Sequence, residues 1–264
     1  MQTLRQTLRH SLTLLLAAVL LGAWPALRAA DETSGSSPRD FTLALGTPQR
    51  DAAERALPAL VERAIGSDDS RLLLDRIFSV DSPDALRDAS IGYGFEVYLI
   101  DAASLLAGNN IDKSLRRTGV WRFLVLLDNR SVGLMTVARV RGKWKTVQVG
   151  GAGLAQDISN AVNDYARDPS APQLRFVRSQ QGMADFIQVL ARGTGASPAE
   201  PAYVPLLSAQ ELASPSSLNS AAGASAAAAS KHEALSERRI IDALLASIKR
   251  GMADPRFTQR GVTP

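Results

Sequence analysis

The fold is decided by residues 120–149, which read VWRFLVLLDNRSVGLMTVARVRGKWKTVQV. Two short polar stretches, DNRS and RG, separate three mainly apolar segments here. Because side chains alternate between the two faces of a strand, the period of two within these segments predicts β-strands, and the short connections predict antiparallel neighbours. The sequence therefore predicts an antiparallel meander with strands at 120–127, 132–140 and 143–149.

The flanking segments extend this meander to an α+β domain of residues 48–208. Residues 48–65 and 154–167 have apolar residues at helical spacing, although Pro58 is expected to kink or divide the first helix. The glycine-rich residues 150–153 predict a sharp turn with positive φ angles before the second helix. We therefore expect N-terminal helices packed on a mainly antiparallel, curved sheet of four to six strands. The meander supplies three of these strands and residues 93–100 supply a fourth; short strands at 173–178 and 185–190 and an edge strand at 203–207 are further candidates.

The C-terminal part of the chain has the composition of a linker followed by a helix. Residues 209–230 are rich in alanine and serine, which is typical of a linker. Residues 231–251 predict a separate amphipathic helix, and residues 252–264 predict a flexible tail. The helix can fold back on its own domain, or it can dock on a partner, a second copy or a membrane surface. Its candidate docking residues are Ile241, Leu244, Leu245 and Ile248.

Residues 1–30 have the pattern of a Sec-type signal peptide. Arg5 and Arg9 precede an apolar run at residues 12–24, which is too short to span a bilayer comfortably. Cleavage after Ala29 or Ala30 would leave a flexible lead-in at 31–47 and a periplasmic or secreted protein without a transmembrane span. If the segment were retained, it would be an N-terminal anchor.

Removal of residues 1–30 changes the charge balance, because they carry three arginines and no acidic residue. The remaining chain has 27 basic and 26 acidic residues, so its charge does not indicate nucleic-acid binding. Residues 31–110 carry 14 acidic and 7 basic residues, whereas residues 111–148 carry 9 basic and 2 acidic residues. The two segments either face each other or form separate solvated surfaces, or the basic one contacts an anionic partner.

Several reaction classes are excluded by composition. The chain has no cysteine, which rules out thiol enzymes, disulfide scaffolds and cysteine-ligated metal sites. His232 is the only histidine after residue 30 and lies beside the linker, so the folded domain lacks a His-dependent triad and a His-rich zinc site. We assign no catalytic, cofactor-binding or metal-binding residue.

The most distinctive surface feature predicted is a basic hairpin around the turn at Gly142. Arginine and lysine beside an aromatic ring can bind phosphate or sulfate groups and stack on sugars. In an exported protein, the partner would be an envelope protein, a lipid head group, lipopolysaccharide or an anionic cell-wall polymer. Alternatively, the turn is solvated and its tryptophan packs in the core. The basic hairpin consists of Arg139, Arg141, Lys143, Trp144 and Lys145.

The sequence thus favours a non-enzymatic binding or accessory protein of the cell envelope. The competing class is a hydrolase that uses carboxylates alone. Glu96 lies within an apolar strand and is expected either to face solvent or to line a cavity. A glycosidase would need a second carboxylate opposite Glu96, and the sequence does not indicate one. A third class is a peripheral binder of anionic membrane or cell-wall polymer that acts through the basic hairpin.

Overall fold

The centre of the fold is one eight-stranded sheet. The structure, a computed structural model, describes residues 41–42, 44–65, 77–166, 172–190, 200–213 and 234–253, all within one unit. The strands are β1 (Ser90–Ile100), β2 (Leu115–Leu127), β3 (Arg130–Val140), β4 (Lys143–Gly150), β5 (Gln173–Ser179), β6 (Ala184–Leu190), β7 (Ala202–Pro205) and β8 (Leu235–Ser236). Their order across the sheet is β4-β3-β2-β1-β5-β6-β7-β8.

The sheet is mixed. Strands β2, β3 and β4 form the predicted antiparallel meander, and the α+β class is confirmed. The sheet has eight strands where four to six were expected, and β1 pairs with β5 in parallel. This parallel pairing arises because the chain leaves edge strand β4, crosses by a helix and returns beside β1 on the far side of the meander, as parallel neighbours require.

Six α-helices and one 3₁₀ helix surround the sheet in the described part of the chain. Helix α1 (Pro48–Ile65) continues through Pro58, and the proline is exposed, so the expected division of this helix is wrong. The predicted signal peptide and most of the lead-in, linker and C-terminal tail lie outside the described residues. Residues 209–213 of the predicted linker and 252–253 of the predicted tail are helical, so these two boundaries are wrong. The α-helices are α1 (Pro48–Ile65), α2 (Ala102–Leu106), α3 (Ile111–Ser114), α4 (Ala152–Ala166), α5 (Leu207–Ala213) and α6 (Glu237–Ala253), and the 3₁₀ helix is Pro83–Asp88.

Helices cover both faces of the sheet. On one face, helix α4 packs over the central strands through Ala155, Ile158 and Ala161. On the other face, α1 packs over the β2–β3 region and α6 packs over β5–β7. The alternation of side chains along each strand supplies both layers: Phe176 belongs to the α4 layer, and its neighbour Val177 belongs to the α6 layer.

The C-terminal helix α6 lies against the same domain. The sequence predicts a separate helix and leaves its docking open, whereas in the structure Leu244 and Ile248 are fully buried and Ile241 and Leu245 are partly buried. Ile240, which is not among the predicted docking residues, is also buried. The physical reason is that an apolar helix face is stable only when it is covered, and α6 covers it with the α2, α5 and β7 region.

Candidate functional site

The basic hairpin is formed by a two-residue turn between β3 and β4. Arg141 and Gly142 both have positive φ angles, 51° and 77°, as a type I′ turn requires. The turn sets the register that places Arg139 opposite Trp144 and Val140 opposite Lys143. An arginine at positive φ costs about 1 kcal/mol, so the turn holds Arg141 at an exposed tip against a modest backbone preference.

Trp144 and Arg139 form a cross-strand pair on one side of the hairpin. The Arg139 guanidinium carbon lies 5.9 Å from the centroid of the Trp144 ring, which is within the range of a cation–π interaction. Trp144 is half-buried and packs against the cluster that α1 covers. One region of the Trp144 ring therefore packs on the core, and the ring also contacts the guanidinium of Arg139.

Lys143 and Lys145 extend to the other side of β4, because neighbouring side chains of a strand point in opposite directions. Both lysines are exposed. Strand β4 is the edge of the sheet, and lysines are typical of edge strands because they discourage edge-to-edge pairing. The hairpin thus carries positive charge on both sides and at its tip, and it presents this charge at an end of the sheet.

Helix α1 adds a cation to this surface. An open depression of about 280 Å³ lies beside Trp144 and is lined by residues of β4 and α1. Arg55 lines it and is exposed. Sequence reasoning missed Arg55, because 89 positions separate it from Trp144 and only the packing of α1 on β4 brings the two together. The lining residues are Ala52, Arg55, Ala56, Trp144, Lys145 and Thr146.

Six of the nine basic residues of the 111–148 segment fall into two groups. Arg116 pairs with Asp101 at 2.5 Å, and Arg117 pairs with Glu96 at 2.6 Å, so part of this segment does face the acidic part of the chain. The four basic side chains of the basic hairpin make no ion pair and no hydrogen bond with the residues that the structure describes. Their charges are therefore available to an external anion.

Glu96 has a structural environment. Its side chain is 3% exposed, so the expectation that it faces solvent is wrong. Its Oε2 accepts hydrogen bonds from Arg117 Nε at 2.9 Å and Nη2 at 2.6 Å, and its Oε1 accepts one from the Gly119 amide at 3.1 Å. The β1–β2 register shifts here, and Gly119 has a φ of 65°. Glu96 thus holds a β-bulge, and the contacts of its carboxylate are with donors rather than with a second acid.

The described residues contain no group of three or more potential metal ligands among histidine, cysteine, aspartate and glutamate. Comparison of the chain with protein-family models, with curated proteins and with solved structures gives no match. The candidate site therefore rests on its own chemistry: exposed guanidinium and ammonium groups beside a half-buried indole. This arrangement can bind an anion or a polyanionic surface reversibly.

Proposed function

We propose that this protein is exported and acts as a non-enzymatic binding protein of the cell envelope, with the basic hairpin as its contact with an anionic envelope component. The observation that carries the proposal is the set of four exposed cations around one turn of an edge hairpin, none of which makes an ion pair with a residue in the described ranges. The N-terminal sequence pattern supports export. In the described part of the chain, no helix has both the length and the apolar character needed to cross a membrane.

The placement of the charges suits a broad anionic surface better than a single small ligand. The cations lie on both sides of the hairpin and at its tip, so no one enclosed site collects them. Each lysine or arginine near an anionic membrane surface contributes about 1 kcal/mol. Four such residues together would contribute about 4 kcal/mol, and salt would weaken their attraction because exposed charges are screened over about 10 Å at 0.1 M ionic strength.

Trp144 adds a non-ionic contribution. Its ring is partly accessible next to the open depression that Arg55 and Lys145 line. An indole edge at this position can contact sugar rings or acyl chains, which accompany the anionic groups of envelope polymers and lipids. Part of the binding is therefore expected to persist at high salt, where the charges are screened. This salt-resistant part should be lost when Trp144 is replaced by alanine.

The experiment is co-sedimentation of the mature full-length chain with an isolated envelope fraction. The test variant, which we call the hairpin variant, carries Arg139→Gln, Arg141→Gln, Lys143→Gln and Lys145→Gln. We expect its association to fall by a factor of about 100 or more. The charge-matched control changes four exposed basic residues elsewhere and is expected to bind as the wild type does. The control substitutions are Arg130→Gln, Arg238→Gln, Lys249→Gln and Arg250→Gln.

Both variants lose the same net charge, so a fall common to both would show that only overall charge matters. Equal association of the hairpin variant and the wild type would refute the assignment of the site. Association at high salt that persists when Trp144 is replaced by alanine would show that the main contact is apolar and lies elsewhere.

A further inference from the structure

Arg122 is a buried cation in the middle of the sheet. It lies on β2 between Phe95 of β1 and Thr136 of β3, and only 6% of its surface is exposed. Its guanidinium carbon is 5.8 Å from the centroid of the fully buried Phe176 ring. The surrounding layer, which α4 covers, is otherwise made mainly of aliphatic and aromatic side chains.

Two nitrogens of this guanidinium have no partner among the residues that the structure describes. Nε and Nη1 are buried and make no hydrogen bond with the residues that the structure describes. Together they carry three N–H donors. Buried polar groups in native proteins are nearly always hydrogen-bonded, and an unsatisfied charged group is among the more costly exceptions. The side chain is therefore in an environment that calls for an acceptor.

The acid whose charge acts on Arg122, Asp185, is already used by another arginine. Arg178 lies 5.9 Å from the same Phe176 ring, and its Nε and Nη2 bond to the two oxygens of Asp185 at 2.6 and 2.7 Å. Burial first, and then the charge of Arg178, lower the pKa of Arg122, and Asp185 offsets part of this shift; together they bring the pKa to about 10. Arg122 remains protonated at neutral pH, so these three residues carry one positive charge in excess.

An apolar residue would suit this position better if packing were the only requirement. Replacement of buried ionic groups by apolar residues of similar volume is often neutral or stabilising. The retained guanidinium therefore needs a second role, and hydrogen bonding to an anion is the role for which three free donors and an excess charge are suited.

We infer that Arg122 is the core of an internal binding site for a small oxyanion, with Arg178 as the neighbouring cation. The site is separate from the basic hairpin, whose cations are exposed on β3 and β4. A small oxyanion supplies several acceptor oxygens and at least the one negative charge that the cluster lacks. Inorganic sulfate, inorganic phosphate and acetate share this chemistry and differ in shape, so they serve as probes.

The test measures thermal unfolding of the mature full-length chain in chloride and in each oxyanion at equal ionic strength. At an oxyanion concentration one hundred times its dissociation constant, we expect the unfolding midpoint to rise by about 5–10 °C. The Arg122→Met variant should lose this rise, whereas the hairpin variant with four glutamines should keep it. In chloride, Arg122→Met should unfold no earlier than the wild type does.

Isothermal titration of the hairpin variant with each oxyanion provides a readout that does not depend on the folding of Arg122→Met. One saturable site supports the inference, and the preferred probe distinguishes a tetrahedral oxyanion from a planar carboxylate. Absence of saturable binding for all three probes would overturn it. An equal midpoint rise in Arg122→Met and the wild type would also overturn it, because the effect would then lie elsewhere. Neither result depends on whether the basic hairpin binds the envelope.

Discussion

Replacement of Leu244 by alanine should destabilise the whole domain, although Leu244 lies in the C-terminal helix. Its side chain is fully buried in the cluster that includes Val177, Phe186 and Tyr203. The packing is close, since a Cβ atom added at Gly182 would lie 3.0 Å from Leu244 Cδ2. Leu244 thus joins α6 to the sheet and to the turn between β5 and β6.

The magnitude follows from the groups removed. Leucine to alanine removes three carbon atoms, and at about 0.8 kcal/mol for each buried methylene the transfer free energy alone is about 2.4 kcal/mol. The cavity that remains raises the cost, and measured substitutions of this type cost about 2–5 kcal/mol. Since a typical domain is stable by about 5–15 kcal/mol, we expect a loss of about 3–4 kcal/mol, which is a large share of the total.

Equilibrium unfolding in urea measures this loss as a lower midpoint at an unchanged slope. The matched control is Leu207→Ala, because Leu207 is 60% exposed in helix α5, and it should change stability by less than about 0.5 kcal/mol. A change of that small size for Leu244→Ala would refute the packing of α6 on this domain. A second, separate unfolding transition would refute it as well.

The packing of α6 also affects how partner binding can be tested. A chain that ended at residue 230 would lose Ile240, Leu244 and Ile248 from the core. Such a truncation would therefore unfold or loosen the domain, and any loss of binding would say little about a docking helix. Charge substitutions on the basic hairpin are the better test, because these side chains are exposed.

Three further predictions concern the interior. Gly94→Ala should cost about 1–3 kcal/mol in urea unfolding, because its Cβ would lie 2.3 Å from Phe123 Cε1. Glu96→Gln should cost about 1–3 kcal/mol in the same assay, because it weakens the bonds from Arg117, and it should leave envelope association unchanged. Burial raises the pKa of Tyr203 above its usual 10.0. Above pH 10 the folded protein therefore keeps the phenol proton, whereas the unfolded chain loses it. The contribution of this proton to the free energy of unfolding is complete below pH 10 and decreases above it. The free energy of unfolding of Tyr203→Phe should therefore fall less steeply than that of the wild type between about pH 10 and 11.

Each of these three predictions has either a control variant or an outcome that would contradict it. Gly153→Ala is the control for the first, since Gly153 lies in α4 with no atom within 4 Å of its added Cβ, and alanine there should stabilise slightly. Loss of envelope association in Glu96→Gln, with stability retained, would give the carboxylate a functional role. An unchanged pH slope in Tyr203→Phe would show that the phenol titrates alike in both states.

The parts of the fold that the sequence predicts are the local ones. The β2–β3–β4 meander and the β3–β4 turn depend on alternating apolar side chains and on short connections. Both patterns are present within one stretch of about thirty residues. The turn before α4 follows from Gly150 and Gly151, whose φ angles are 123° and 73°. The β1–β5 pairing and the eight-strand order depend on contacts between distant segments, which periodicity does not encode.

The candidate site also has a part that local sequence predicts and a part that depends on contacts between distant segments. The basic hairpin is visible in sequence because five consecutive or near-consecutive residues form it, whereas Arg55 reaches it only through the packing of α1. The alternation of side chains along the strand indicates that Glu96 faces solvent. In the structure, the bulge at Gly119 and the Arg117 side chain cover its carboxylate. Arg122 had a usable signal: it is the one charged residue in the otherwise apolar segment 120–127, and arginine is almost never fully buried unless it is paired.

The most direct test of the proposed function is a titration of the mature chain with vesicles of zwitterionic lipid that contain a fraction of anionic lipid. We predict that the chain binds these vesicles and that its affinity decreases as the salt concentration rises. The affinity of the hairpin variant should be lower by about 100-fold or more, and that of the charge-matched control should change little. Equal binding of the hairpin variant and the wild type to these vesicles and to the isolated envelope fraction would contradict the account, because the four cations of the basic hairpin would then have no part in recognition.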